Sequence, residues 1–179
     1  MKITEAQKSV ERWGMVEVSV NGPSDGNPFT EQEICGTFTG ARESVTVPGF
    51  YDGNGIYKVR FMPSFTGNYS YRIEASFGSA EGEFSVSEPA AENHGPVRTA
   101  FTFHFSYEDG TRYIPIGTTC YVWDLQSDEQ IAQTLKTLEE NAFNKIRFCV
   151  FPKHYAYNLT EPRSYPYEGT PMDSSILTK

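Results

Sequence analysis

Two short phrases hold the residue types that could do chemistry. The first, Gly117-Thr118-Thr119-Cys120-Tyr121-Val122-Trp123-Asp124, ends an apolar run on an aromatic and an acid, just before a helix start at Ser127. Such a strand end offers a flat apolar ring and a hydrogen-bond acceptor side by side. The second, Phe143-Asn144-Lys145-Ile146-Arg147, sets a guanidinium within a strand, and Lys153, His154 and Tyr155 follow at the far end. Each residue has a plainer reading beside the functional one. Trp123 can plug a gap, Asp124 can sit on a solvated loop, and His154 can be a structural loop histidine. Arg147 near an exposed strand start needs no partner, whereas a buried Arg147 requires a carboxylate.

The acids do not complete a reaction centre. Glu139 and Glu140 fall on a helix and read as surface residues, and Glu161 and Glu168 lie in a Pro- and Tyr-rich tail. No Ser-His-Asp order, phosphate loop or metal spacing competes. Cys35, Cys120 and Cys149 are too widely spaced for a zinc pattern and read as small buried thiols. The sequence therefore calls for no cofactor and no metal.

The elements that must position the two phrases follow from periodicity. Ser127 and Gln130 form a capping box, and Asp128 and Glu129 suit the positive end of a helix dipole. Ile131, Leu135, Leu138 and Ala142 then share one helical face, which predicts a helix over 128–141. Lys145 to Phe151 alternates as a strand, with Ile146, Phe148 and Val150 on one face and Arg147, Cys149 and Phe151 on the other. Strand, helix and strand at this spacing predict a βαβ unit with parallel strands. Upstream, Phe101, Phe103, Phe105 and Tyr107 alternate toward a turn at Glu108-Asp109-Gly110, with a return strand over 113–116.

The first 88 residues have period two throughout. Val16, Val18 and Val20 share a face; so do Tyr57, Val59 and Phe61, and Tyr69, Tyr71, Ile73 and Ala75. Phe38, Val45, Val47, Phe84 and Val86 mark further strands, and Gly- and Asn-rich turns separate the runs. About seven short strands at this spacing predict an immunoglobulin-like antiparallel sandwich. The class is thus mainly β: a sandwich over 1–88, a linker over 89–100, and a hairpin plus βαβ unit over 101–179.

Bulk properties narrow the partners. The formal charge is −8 and no basic stripe could follow phosphates, so nucleic acid is not expected. No stretch could span a bilayer as a helix, and the N-terminus lacks the apolar core of a secretory signal, so no membrane partner and a cytoplasmic location are expected. A secreted chain whose signal has been removed would read the same way.

Thr111 to Trp123 resembles the first barrel strand of bacterial glycoside hydrolases of the apiosidase-like (β/α)8 type, and Asn144 to Tyr155 resembles their second strand. The run from Trp13-Gly14 onward resembles the β-sandwich domain of unknown function that precedes that barrel. The resemblance implies a TIM barrel that begins here and is incomplete, and a carbohydrate substrate for the parent enzyme. It implies that Arg147 is the arginine that hydrogen-bonds a catalytic nucleophile in the wider clan of retaining glycosidases. Trp123, Asp124, Lys153, His154 and Tyr155 would line the rim, where barrel enzymes hold their sites. Glycoside hydrolysis needs a pair of carboxyls. The resemblance puts them on later strands, so this chain alone is expected to be inactive. The open barrel edge would favour self-association. The rival reading is a carbohydrate-binding or structural module whose contacts come from Trp13, Phe50 or Tyr51.

Overall fold

The computed structural model describes residues 1–123 and 126–148, and the chain is mainly β. It divides into two compact units, Met1–Tyr113 and Ile114–Lys179.

The first unit is built on eight strands: β1 (Lys2–Ala6), β2 (Ser9–Glu11), β3 (Val16–Asn21), β4 (Ile34–Thr39), β5 (Ser44–Gly53), β6 (Ile56–Phe61), β7 (Gly67–Ala75) and β8 (Gly78–Ser87). A one-turn helix, α1 (Pro28–Glu31), connects β3 to β4. The strands form one sheet in the order β1-β3-β6-β5-β4-β7-β8-β2. Its pairings are antiparallel apart from β2 against β8.

The sheet curls because β5 changes partner midway. Ser44 to Pro48 pair with β4, and Gly49 to Gly53 pair with β6. Gly49 sits at the changeover, where a Cβ would lie 2.7 Å from the Lys58 carbonyl oxygen and 2.8 Å from a Val59 methyl. Only a residue without a side chain lets the two halves fold together so closely.

The curl brings inward faces into contact. Phe38 of β4 stacks on Phe61 of β6 at 4.5 Å between ring centroids, and Tyr69 of β7 lies 6.0 Å from the same ring. Val16, Val18, Val20, Phe38, Tyr57, Val59, Phe61, Tyr69, Tyr71, Ile73, Phe84 and Val86 are all buried, joined by Ile34. Val45, Val47 and Ala75 pack half-buried around them. The period-two sets are therefore the core.

Two buried tyrosines keep their hydroxyls satisfied. That of Tyr57 donates to the Pro23 carbonyl at 2.7 Å. That of Tyr69 donates to the Glu43 carboxylate, with the Phe65 carbonyl also in reach at 3.1 Å. Burial, and then the Glu43 carboxylate, push the Tyr69 phenol well above its usual range.

After β8, a small three-stranded antiparallel sheet completes the unit: β9 (Val97–Ala100), β10 (His104–Tyr107) and β11 (Arg112–Tyr113), in the order β11-β10-β9. The alternating phenylalanines predict a strand from Phe101. Instead the chain reverses over Phe101–Phe103, because Ala100 pairs with His104 and leaves three residues for the turn. Phe101 and Thr102 take φ of +51° and +69° there. Phe101 and Phe103 are each 87% exposed. The return strand is likewise shorter than predicted, ending at Tyr113.

In the second unit, β12 (Gly117–Thr119) and β13 (Lys145–Arg147) pair in parallel, with α2 (Asp128–Glu139) between them in sequence. This is the predicted βαβ order. The Ser127 side chain accepts from the Gln130 amide at 3.4 Å, the N-cap half of the predicted capping box. No residue of α2 is fully buried, and Leu135 on its apolar face is 48% exposed.

Candidate functional site

Parallel strands finish at the same end, so β12 and β13 bring the two phrases together. The Cys120 amide donates to the Arg147 carbonyl at 2.9 Å, which extends the pairing one step past Thr119. Beyond it the chain turns: the Trp123 amide approaches the Cys120 carbonyl at 3.4 Å, and the Gln126 side-chain amide donates to the Val122 carbonyl at 2.8 Å. Val122 is buried beneath this turn.

Aromatic contacts join the two strand ends. The Trp123 ring meets Phe148 edge-on, 6.0 Å between centroids. The Arg147 guanidinium lies 5.5 Å from the centre of the Tyr121 ring, a cation–π distance. Arg147 is the last residue of β13 and is exposed. The Trp123 indole nitrogen is enclosed and has no hydrogen-bond partner among the described residues. A buried N–H without an acceptor costs free energy, which marks this turn as a place where a polar partner matters.

Of the predicted site residues, the structure thus places Trp123 and Arg147 at one end of the parallel pair. Asp124, Lys153, His154 and Tyr155 lie outside the described residues. Sequence reasoning missed three contributors. Tyr121 and Phe148 carry the ring contacts. Asn144 accepts from the Ile116 amide and donates to the Ile114 carbonyl, each at 2.9 Å, and its own amide donates to Ile116. The asparagine beside Phe143 therefore fixes the start of the strand pair. The signal for it was present: a polar side chain at a strand entry, where an approaching backbone needs partners.

The first unit offers a second surface. Of its three candidate aromatics, Trp13 lies beneath the Arg12 guanidinium at 3.9 Å, with the Gly95 backbone packed on the ring. The Tyr51 hydroxyl accepts from the Gly55 amide, and its ring packs against Phe29 and Tyr57. Phe50 is 38% exposed, on the outer face of β5. Arg60 lies 5.0 Å over the Phe50 ring and pairs with Glu17 at 2.7 Å. Lys58 bridges Glu17 and Asp52 at 3.1 and 2.8 Å. Arg60, then Lys58, hold the Glu17 carboxyl below its usual range, while Asp52 and then Glu17 raise the Lys58 ammonium.

Among the described residues no three His, Cys, Asp or Glu side chains gather to hold a metal ion. No described helix is long and apolar enough to cross a membrane.

Comparison with known proteins adds two likenesses. Residues 9–76 match a domain of unknown function, DUF5060. The chain is similar to the crystal structure of a "putative glycoside hydrolase" from Bacteroides vulgatus, with 40% identity and a TM-score of 0.84 over 90% of this chain. It spans 32% of that protein's length. Two structures of superoxide reductase (neelaredoxin) from Ignicoccus hospitalis align at TM-scores of 0.33 and 0.32, with 17% and 18% identity. They cover 48% of this chain and 78% and 79% of those chains, and a likeness so slight bears on neither fold nor function. No curated protein matches the chain.

Proposed function

We propose that this chain is the N-terminal part of a glycoside hydrolase: an immunoglobulin-like sandwich, then a small hairpin sheet, then the first two strands of a (β/α)8 barrel. The observation that carries the reading is the 40% identity to the Bacteroides vulgatus protein over nearly the whole chain. The sandwich reading is supported by the order β1-β3-β6-β5 on one side of the curl and β4-β7-β8 on the other, the arrangement of immunoglobulin-type sheets. The Tyr69 hydroxyl, 3.1 Å from the Phe65 carbonyl four residues upstream, resembles the tyrosine corner of such folds and supports the same reading. The barrel reading is supported by the parallel β12–α2–β13 unit, with its aromatic residues gathered at the C-terminal strand ends.

In this account Trp123 packs its ring on the C–H face of a sugar and gives its indole N–H to a sugar oxygen. Arg147 orients a carboxylate supplied by a later strand. Asp124, Lys153, His154 and Tyr155 complete the rim. The chain alone binds weakly and does not hydrolyse, because the carboxyl pair belongs to later strands.

The test is a titration of the 15N-labelled chain with xylohexaose, cellohexaose and arabinan oligosaccharides. Saturable shifts of the Trp123 indole N–H and of the Tyr121 and Arg147 amides, the amide shifts being lost in Trp123→Ala, are the expected result. Turnover of aryl glycosides that depends on one acid within residues 101–179 would contradict it. The exposed Phe50, set among four charges, favours a second reading, a carbohydrate-binding module. Shifts confined to Phe50 and Arg60 would transfer the function to that face.

A further inference from the structure

The segment after β8 has no regular structure, yet both its sides are tied within the first unit. On one side Glu11 of β2 accepts from the Ala90 amide at 2.5 Å and from the Asn93 side chain at 2.9 Å. Asn93 also approaches the Arg12 carbonyl at 3.3 Å and accepts from the Gly95 amide at 3.1 Å. On the other side Asp109, in the turn between β10 and β11, lies 2.8 Å from Nδ1 of His94 and accepts from the Thr111 amide at 2.8 Å. The Asp109 amide in turn approaches the His94 carbonyl at 3.3 Å.

Between these ties the segment crosses Trp13. Gly95 has a φ of +79°, and a Cβ there would lie 2.7 Å from the indole and 2.8 Å from the Glu108 side chain. Trp13 itself has a φ of +66°, and its amide donates to the Pro63 carbonyl at 3.0 Å. A bulky residue in the left-handed region is strained and persists only where its surroundings hold it. Here the holding groups are Arg12 above the ring, the Pro63 carbonyl, and the segment lying across it.

Both ties end on a carboxylate that accepts from N–H donors. An ionised carboxylate only accepts, whereas a protonated one presents an O–H to those same donors. We propose that residues 88–95 form an acid-released strap: protonation of Glu11 and Asp109 lifts it from Trp13 and uncouples the three-stranded hairpin sheet from the curled sheet, which stays folded.

The backbone of the strap and turn supports this reading. The Ala90 amide and then Asn93 hold the Glu11 carboxyl below its usual range. The Thr111 amide and then His94 do the same for Asp109. Groups depressed in the folded state contribute fully above their unfolded values and lose that contribution as pH falls through the folded ones. Release therefore falls below the ordinary Glu and Asp range. The other titratable groups on these elements are Arg12 next to Glu11; Glu88, Glu92 and His94 on the strap; and Arg98, His104, Tyr107, Glu108, Arg112 and Tyr113 on the small sheet, with the Tyr107 ring 5.4 Å from that of His94. Arg98 is engaged with Glu108 at 2.6 Å. The curled sheet is held by an apolar core, so the same protons leave it intact.

Two measurements on the full chain test the proposal. In a Trp123→Phe background, Trp13 fluorescence should change on acidification before the far-ultraviolet signal of the sheet. Coincident transitions would overturn the strap. At neutral pH, Glu11→Gln with Asp109→Asn should speed cleavage by a Glu-specific protease after Glu92 by roughly tenfold or more, the order expected for losing charge-assisted hydrogen bonds. The Val18, Val59 and Ile73 amides should remain protected. Cleavage at the wild-type rate, or cleavage only with loss of that protection, would also overturn it. The pH titration uses no carboxylate variant, so it decides the matter even if the double variant fails to fold.

Discussion

The two units treat their apolar residues in opposite ways. In Met1–Tyr113 the sheet closes over its own inner face, and Phe38, Val18, Val20, Val59 and Ile73 have no exposed surface at all. From Ile114 onward, Ile114, Ile116, Leu135, Phe143 and Phe148 are between 38% and 54% exposed. The difference is one of strand number. Eight strands with a corner glycine can curl until both halves share one core. The described residues of the second unit give a two-stranded parallel sheet and one helix, with apolar side chains on two faces and cover for only one. The first unit encloses its own core, and the second holds the residues proposed for the site.

That contrast can be attacked at its strongest point first. Phe38→Ala removes a wholly buried ring in contact with Phe61, Tyr71 and Phe84, and should cost about 3–5 kcal/mol. Chemical denaturation of residues 1–113 is the measurement, and a loss below about 1 kcal/mol would mean the core is looser than described. Gly49→Ala should cost about 1–3 kcal/mol by driving a methyl into the Lys58 carbonyl at the corner.

Acid comes next in size. Glu17 is held ionised by Arg60 and then Lys58, so its contribution is full above the ordinary Glu range and disappears as pH falls through its depressed folded value. The pair lies on a partly exposed face, so the effect stays below about 1 kcal/mol. Glu17→Gln should flatten the acid limb of the melting curve by that amount and leave stability above the carboxylate range lowered. Smallest of all, Leu135→Ala on α2, at a side chain 48% exposed, should change stability by no more than about 0.5 kcal/mol. A larger loss would show that this side chain is covered.

Much of this was legible in the sequence wherever one face of a strand is buried. Val16-Glu17-Val18-Ser19-Val20 can be read only as a half-buried strand, and the structure buries each of those valines. The parallel pairing that brings Trp123 and Arg147 to one end also follows from strand, helix and strand at their spacing. Other features depend on partners distant in sequence. β1 has weak alternation and exists because β3 offers it an edge. The parallel match of β2 to β8 has no local signature. The Phe101–Phe103 turn imitates a strand in its side-chain pattern, and only the pairing of Ala100 with His104 ends it there. Tyr121 was passed over because a ring beside a guanidinium is visible only once the two strands are aligned.

Hydrogen exchange on a dilute, confirmed monomer tests the central proposal most directly, that a self-sufficient curled sheet precedes the first strands of a (β/α)8 barrel. The amides of Val18, Val59 and Ile73 should exchange only through global unfolding of the first unit. Those of Thr118, Ile146 and the turns of α2 should exchange orders of magnitude faster, through local opening. Equal protection in the two sets would mean that the second unit is a complete domain in its own right, and the barrel-opening account would be wrong.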